Sequence, residues 1–119
     1  MSEAEEKIWS SLRTRAYTLA RTVQSGKHRV GAAAFTSKKF TAVGVSETKF
    51  NLLLCAESSL VSNLISNGGG KLEKIVLIDS NSNLIKPCRK CQQLLSEYLT
   101  PDSQILLDSG VVTVKTLTT

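Results

Sequence analysis

Along the first part of the chain, apolar residues recur at Ile8, Leu12, Ala16, Leu19, Ala20 and Val23. Steps of three and four put them on one face, so the spacing predicts a helix over 3–23. Ser2 stands at the N-cap position, and the early glutamates suit the positive end of the helix dipole. "RVGAAAFTS" (29–37) is small and apolar and predicts a strand, with "FTAVGVS" (40–46) as its hairpin partner. Helical spacing returns through Ala56, Leu60, Leu64 and Ile65, predicting a helix over 55–67 that the glycines of "NGGGK" end. "LEKIVLIDS" (72–80) is apolar without a break from Ile75 to Ile78, the pattern of a strand buried on both faces. After the "NSN" turn, Pro87 opens a third helix that continues through Leu94, Leu95, Tyr98 and Leu99 and stops at "TPD". "SQILLDS" and "VVTVKTLT" predict two short final strands.

The element order is helix, two strands, helix, strand, helix, two strands. It predicts an α/β fold, a mixed five-stranded sheet with helices on its faces. The strand–helix–strand steps predict some parallel pairing. No repeat or long linker divides the 119 residues, so one domain over 1–119 is expected.

Composition narrows the function classes. Hydrophobic residues are 41% and charged residues 21%, which excludes a disordered chain. No stretch approaches the roughly 18 consecutive apolar residues of a membrane helix, so no membrane partner is expected. The acidic start "MSEAEEKIWSS" is neither a secretory signal nor a transit peptide, which leaves the cytoplasm as the expected location. The net charge is +5, and residues 1–40 hold eight Lys/Arg against three Glu while the rest balances seven against seven. A basic face can attract an anionic partner, but a solvated helix face accounts for it as simply. Six scattered aromatic residues make no stacking platform, so nucleic acid is not the expected partner.

Three cysteines do not make a disulfide framework, which wants an even set. In a reducing compartment they read as metal ligands or catalytic thiols. Cys55 opens the second helix, and Cys88 and Cys91 lie at CxxC spacing in the first turn of the third. Helix N-termini favour thiolates, and a metal deprotonates a coordinating thiol outright. A catalytic zinc takes three protein ligands and keeps its fourth position for water, whereas a structural zinc takes four. The one histidine, His28, is distant in sequence, so the ligand count points to an open site. Glu57, two residues after Cys55, can reach a group on the same metal and carry its proton to a leaving group. Two plainer readings compete. The cysteines could be inert and buried, or Cys88 and Cys91 could form a redox pair, which leaves Cys55-Ala56-Glu57 unexplained.

"C-A-E" followed by "P-C-x-x-C" resembles the three-cysteine signature of the zinc nucleobase deaminases. From about residue 25 to 108 the chain resembles the small cytidine deaminases. "KHRVGAAAF" is similar to that family's "KFPVGAAL", "TAVGVS" to "TGCNVE", and "CQQLLSEY" to "CRQVLAEF". The resemblance implies a three-layer α/β/α sandwich and a homo-oligomer, a tetramer with a dimer as the alternative. It implies Zn2+ on Cys55, Cys88 and Cys91, activating water for attack on C4 of a cytosine ring. Glu57 would then move protons to N3 and to the departing ammonia. The backbone around Ala56 and the carbonyls before Cys88 would hold the 4-amino group and the ring, and the substrate would be a nucleoside.

The departures gather at substrate contacts. His28 stands where the family has a phenylalanine near the nucleoside. Ser46 and Glu47 take the places of its ribose-binding Asn and Glu. The loop into Cys55 is short, like that of the blasticidin S deaminases, yet Leu52-Leu53-Leu54 replaces their Gly-Gly-Pro. "PCRKCQ" lacks the arginine that follows the last cysteine in "PCGxCR", so Arg89 or Lys90 is expected to offset the thiolate charge. A related aminopyrimidine such as blasticidin S is therefore the alternative substrate, and a non-catalytic zinc or nucleic-acid-binding protein is a third possibility.

Overall fold

The computed structural model describes residues 2–22, 29–49, 52–87 and 89–114, and the side chains of 47–49, 52–54, 89 and 90 fall outside the description. Helix α1 spans Glu3–Thr22. The Glu5 N–H donates to Ser2 Oγ at 3.2 Å, the predicted cap. Strands β1 (Val30–Thr36) and β2 (Thr41–Val45) form the expected hairpin, with Gly31 opposite Val45 and Phe35 opposite Thr41. Two three-residue strands follow, β3 (Glu47–Lys49) and β4 (Leu52–Leu54), paired only with each other. Then come α2 (Ala56–Ser66), β5 (Leu72–Asp79), α3 (Arg89–Ser96), β6 (Leu99–Leu107) and β7 (Gly110–Thr113).

The main sheet has five strands in the order β2-β1-β5-β6-β7. Only β5 and β6 run parallel, joined through α3, and the other neighbours are antiparallel. Successive strand residues face opposite sides. Ala32, Ala34, Ile75, Leu77 and Ile105 therefore pack with Ala56, Leu60, Val61 and Leu64 of α2 and Leu95 of α3. Ala33, Val76 and Ile78 pack with Trp9, Leu12 and Ala16 of α1. The result is three layers, helix, sheet and two helices. Burial on both faces explains the unbroken apolar run of β5. Each fully buried leucine or isoleucine contributes about 1.5–3 kcal/mol.

Two glycines let helices lie directly on strands. A Cβ on Gly31 would sit 1.9 Å from the Ala16 carbonyl oxygen of α1. A Cβ on Gly44 would sit 2.4 Å from Leu60 N and 2.5 Å from the Ala56 carbonyl oxygen of α2. Helix α2 ends as "NGGGK" predicts. The Gly68 N–H donates to Ile65 O at 3.2 Å and the Gly69 N–H to Leu64 O at 2.9 Å, the paired bonds of a Schellman cap.

Three boundaries differ from expectation. Helix α3 is shorter than the span 87–99: Pro87 lies before it, and Leu99 already belongs to β6, opposite Leu72. "TPD" does not separate elements but lies inside β6. There the ladder jumps from Leu72–Leu99 to Lys74–Gln104, and the extra residues fold onto hydroxyls. The Thr100 N–H donates to Ser103 Oγ, which itself donates to Leu72 O at 2.6 Å. Pro101 is tolerated in such a bulge because no ladder bond needs its N–H. The β3–β4 pair was not predicted at all. Val23, and the stretch 115–118 of the last expected strand, lie outside the described residues. Among the described residues, no helix is long and apolar enough to cross a membrane.

Candidate active site

Cys55 is the N-cap of α2, with extended backbone (φ −73°, ψ 149°) and no hydrogen bond from its side chain to the helix end. Sulfur is a weak acceptor, so a thiol makes a poor cap. Serine or aspartate is the ordinary choice there, and the thiol gives up that stabilisation. Ala56 is buried against the sheet. Glu57 follows in the first helical turn and is only 6% exposed. Among the described residues it is the only buried acid or base. Glutamate is almost never buried without a compensating role, and the helix N-terminus offsets part of the cost. The rest of α2 is fixed by Gly44 beneath its first turn and by Leu60 and Leu64 in the core. Asn63 Oδ1 also accepts the Val43 N–H of the edge strand β2 at 3.0 Å.

The second cysteine segment is reached by a different route. At the end of β5 the Asp79 carboxylate accepts the Asn81 and Asn83 N–H groups at 2.9 Å each, and Asn83 Nδ2 at 3.2 Å. Burial alone would raise the Asp79 pKa. The bonds from Asn83 and Asn81 outweigh it and hold the carboxyl below its usual value. The chain then doubles back, with the Ile85 N–H donating to Leu77 O at 3.0 Å and Leu84 bridged to Ile78. Pro87 is buried, and its carbonyl accepts Gln92 Nε2 of α3 at 3.0 Å. Cys91 is buried at 3% exposure. Helices α2 and α3 touch and share one core cluster, so Cys55 and Cys91 lie in the same helical layer.

Of the residues singled out from sequence, Cys55, Ala56, Glu57 and Cys91 are thus on neighbouring helices. Cys88 and His28 lie outside the described residues, as do the side chains of Glu47 and Arg89. With Cys88 outside, the described residues contain no group of three metal-binding side chains. Ser46 is buried at 4% exposure and ties the end of β2 to the start of β1: its Oγ accepts the Val30 N–H at 3.0 Å. Sequence reading noted only what Gln92 replaces, the expected arginine, and not the bond it makes. A groove of about 420 Å³ runs beside β2 between Leu19, Ser59, Ser62 and Ser66. Among the described residues its lining holds no cysteine and no glutamate. The donor chemistry fits zinc: a thiol released from capping, a second thiol buried in the adjoining helix, and a buried carboxylate in the first turn of α2.

A family profile described as "Cytidine and deoxycytidylate deaminase zinc-binding region" matches residues 7–106. A cytidine deaminase of Mycobacterium tuberculosis is 34% identical over 107 residues, spanning 87% of this chain and 79% of that protein. A blasticidin-S deaminase of Bacillus cereus is 29% identical over 103 residues, spanning 78% of this chain and 73% of that protein. The crystal structure of cytidine deaminase from Mycobacterium leprae superposes with a TM-score of 0.84 at 32% identity, covering 92% of this chain and 95% of that one. With that fold, and with Cys55, Glu57 and Cys91 on its two adjoining helices, the chain belongs to the cytidine and deoxycytidylate deaminase family.

Proposed function

We propose that this chain is a zinc-dependent hydrolase that converts cytidine or deoxycytidine and water to uridine or deoxyuridine and ammonia. The observation that carries the reading is Glu57, buried in the first turn of α2 two residues beyond a cysteine whose thiol caps nothing. Cys55, Cys88 and Cys91 would hold the metal. Zinc, when bound, lowers the pKa of water and so supplies the nucleophile at neutral pH. Glu57 would take the proton that this water loses and deliver it to N3 of the ring as C4 is attacked. It would carry the second proton to the 4-amino group, which leaves as ammonia. Ala56, pressed against the sheet, keeps the acid from drifting, since its neighbours in the turn cannot move without breaking the core.

Purified without chelator, the protein is expected to hold one zinc per chain and to turn over cytidine or deoxycytidine, followed by ultraviolet absorbance. A zinc-loaded protein inert on those nucleosides and on blasticidin S sinks the reading. Blasticidin S is the second candidate substrate. The short loop into Cys55, the Bacillus cereus relative and the engagement of Ser46 by Val30 support it. Turnover of that compound alone would decide for it. A single cytoplasmic domain, working in pyrimidine salvage as a homotetramer, completes the reading. Ile65 of α2 and Leu94 of α3, 55% and 37% exposed, give apolar positions that a second copy could cover. Sedimentation equilibrium tests that assembly.

A further inference from the structure

Gln92 stands directly after Cys91, where the resemblance expects an arginine. It reaches back five residues and donates from Nε2 to the Pro87 carbonyl at 3.0 Å. Both ends of that bond are shielded: Pro87 is buried and Gln92 is half-buried. Pro87 has no N–H, so its peptide offers the helix start only an acceptor. A glutamate at this place could not donate to it and would bring negative charge to a thiolate site. No acidic residue stands in the first turn of α3. A neutral amide is the group that fits. The bonded carbonyl lies just before α3, so holding it ties the first turn of the helix that carries Cys91 to the chain that leads into it.

We infer that Gln92 is a positioning residue: its bond to the Pro87 carbonyl sets the start of α3, and with it Cys91, for metal binding. The inference rests on the zinc reading above. The loss of a partner of this kind typically costs about 10–100-fold in metal affinity.

The test compares zinc release from Gln92→Met, Gln92→Ala and the unaltered protein, read with a colorimetric chelator in excess. Methionine keeps the length and bulk of glutamine and removes only the donor. Both variants are expected to release zinc about 10–100-fold faster, with the melting temperature of the metal-free protein unchanged. If Gln92→Met matches the unaltered protein, whether or not Gln92→Ala does, packing rather than the hydrogen bond is what matters and the inference falls. It also falls if the metal-free variants melt lower by as much as the loaded ones, because Gln92 is then an ordinary helix brace. If the unaltered protein binds no zinc, the site reading itself falls and takes this inference with it. That outcome is seen before any variant is compared.

Discussion

The two helix starts that carry the cysteines are built by opposite means. The start of α2 is set by backbone packed on backbone: Gly44 leaves no side chain between β2 and the Ala56–Leu60 turn, and Asn63 clips the helix to the edge strand. The start of α3 is set by polar bonds: the Asp79 turn reverses the chain, and Gln92 holds the Pro87 carbonyl. Packed backbone is bistable rather than elastic, whereas net hydrogen bonds are worth about 0.5–1.5 kcal/mol each and can be lost singly. The residues divide accordingly. Glu57, which in the proposed reaction must meet two atoms in turn, rides on the rigid start.

The sharpest test of that division separates binding from chemistry. Glu57→Gln preserves size and burial and removes the proton carrier. It is expected to keep zinc and melting temperature near those of the unaltered protein while lowering turnover by about 10²–10⁴-fold or more. Zinc lost together with activity would mean that Glu57 builds the site rather than working in it. Gly44→Ala attacks the rigid start from below. Its methyl would sit 2.4 Å from Leu60 N and 2.5 Å from Ala56 O, both main-chain atoms, so α2 must move. The expected cost is about 1–3 kcal/mol in denaturant unfolding, with zinc retention weakened as Cys55 shifts. Gln93→Ala, on an exposed position of α3, should cost no more than about 0.5 kcal/mol. Equal costs at the two sites would erase the contrast.

What the sequence made legible follows the same line. Strands buried on two faces and amphipathic helices leave strong periodicities, so α1, β1, β2, α2 and β5 lie within a few residues of expectation. The Cys-Ala-Glu and Pro-Cys-x-x-Cys motif stands out in the sequence because its spacing does not depend on the periodicity of its flanks. The rest was hidden by side-chain bonds with no period. Leu52–Leu54 is too short, and too uniform, to declare the hairpin it makes with Glu47–Lys49. "TPD" reads as a stop unless Ser103 is known to close the bulge onto Leu72. Pro87 reads as the first helical residue, but α3 begins at Arg89 and the Pro87 carbonyl before it accepts a bond from Gln92. The expected ribose contact at Ser46 rests on the resemblance alone, and no pattern in the chain signals its bond to Val30.

Another small effect is expected on the polar start, at Asp79. Its carboxyl is partly buried, which would raise its pKa, but the Asn83 and Asn81 donors reverse the sign. A folded-state value below the unfolded one, about 3.9, means the carboxylate stabilises the fold above that pH. The contribution fades as acid takes the pH down through the folded value. Asp79→Ala should therefore lower stability most at neutral pH, and the gap to the unaltered protein should close below about pH 4. The turn is exposed and its charge screened, so the neutral-pH loss should stay under about 1 kcal/mol. Zinc release should change less than in Gln92→Met, because Asp79 acts on the loop only through the turn that precedes it. A larger loss, or a gap that does not close with acid, would show that α3 is fixed by its turn more than by its own first-turn amide. The two helix starts would then differ in where they are anchored, not only in how.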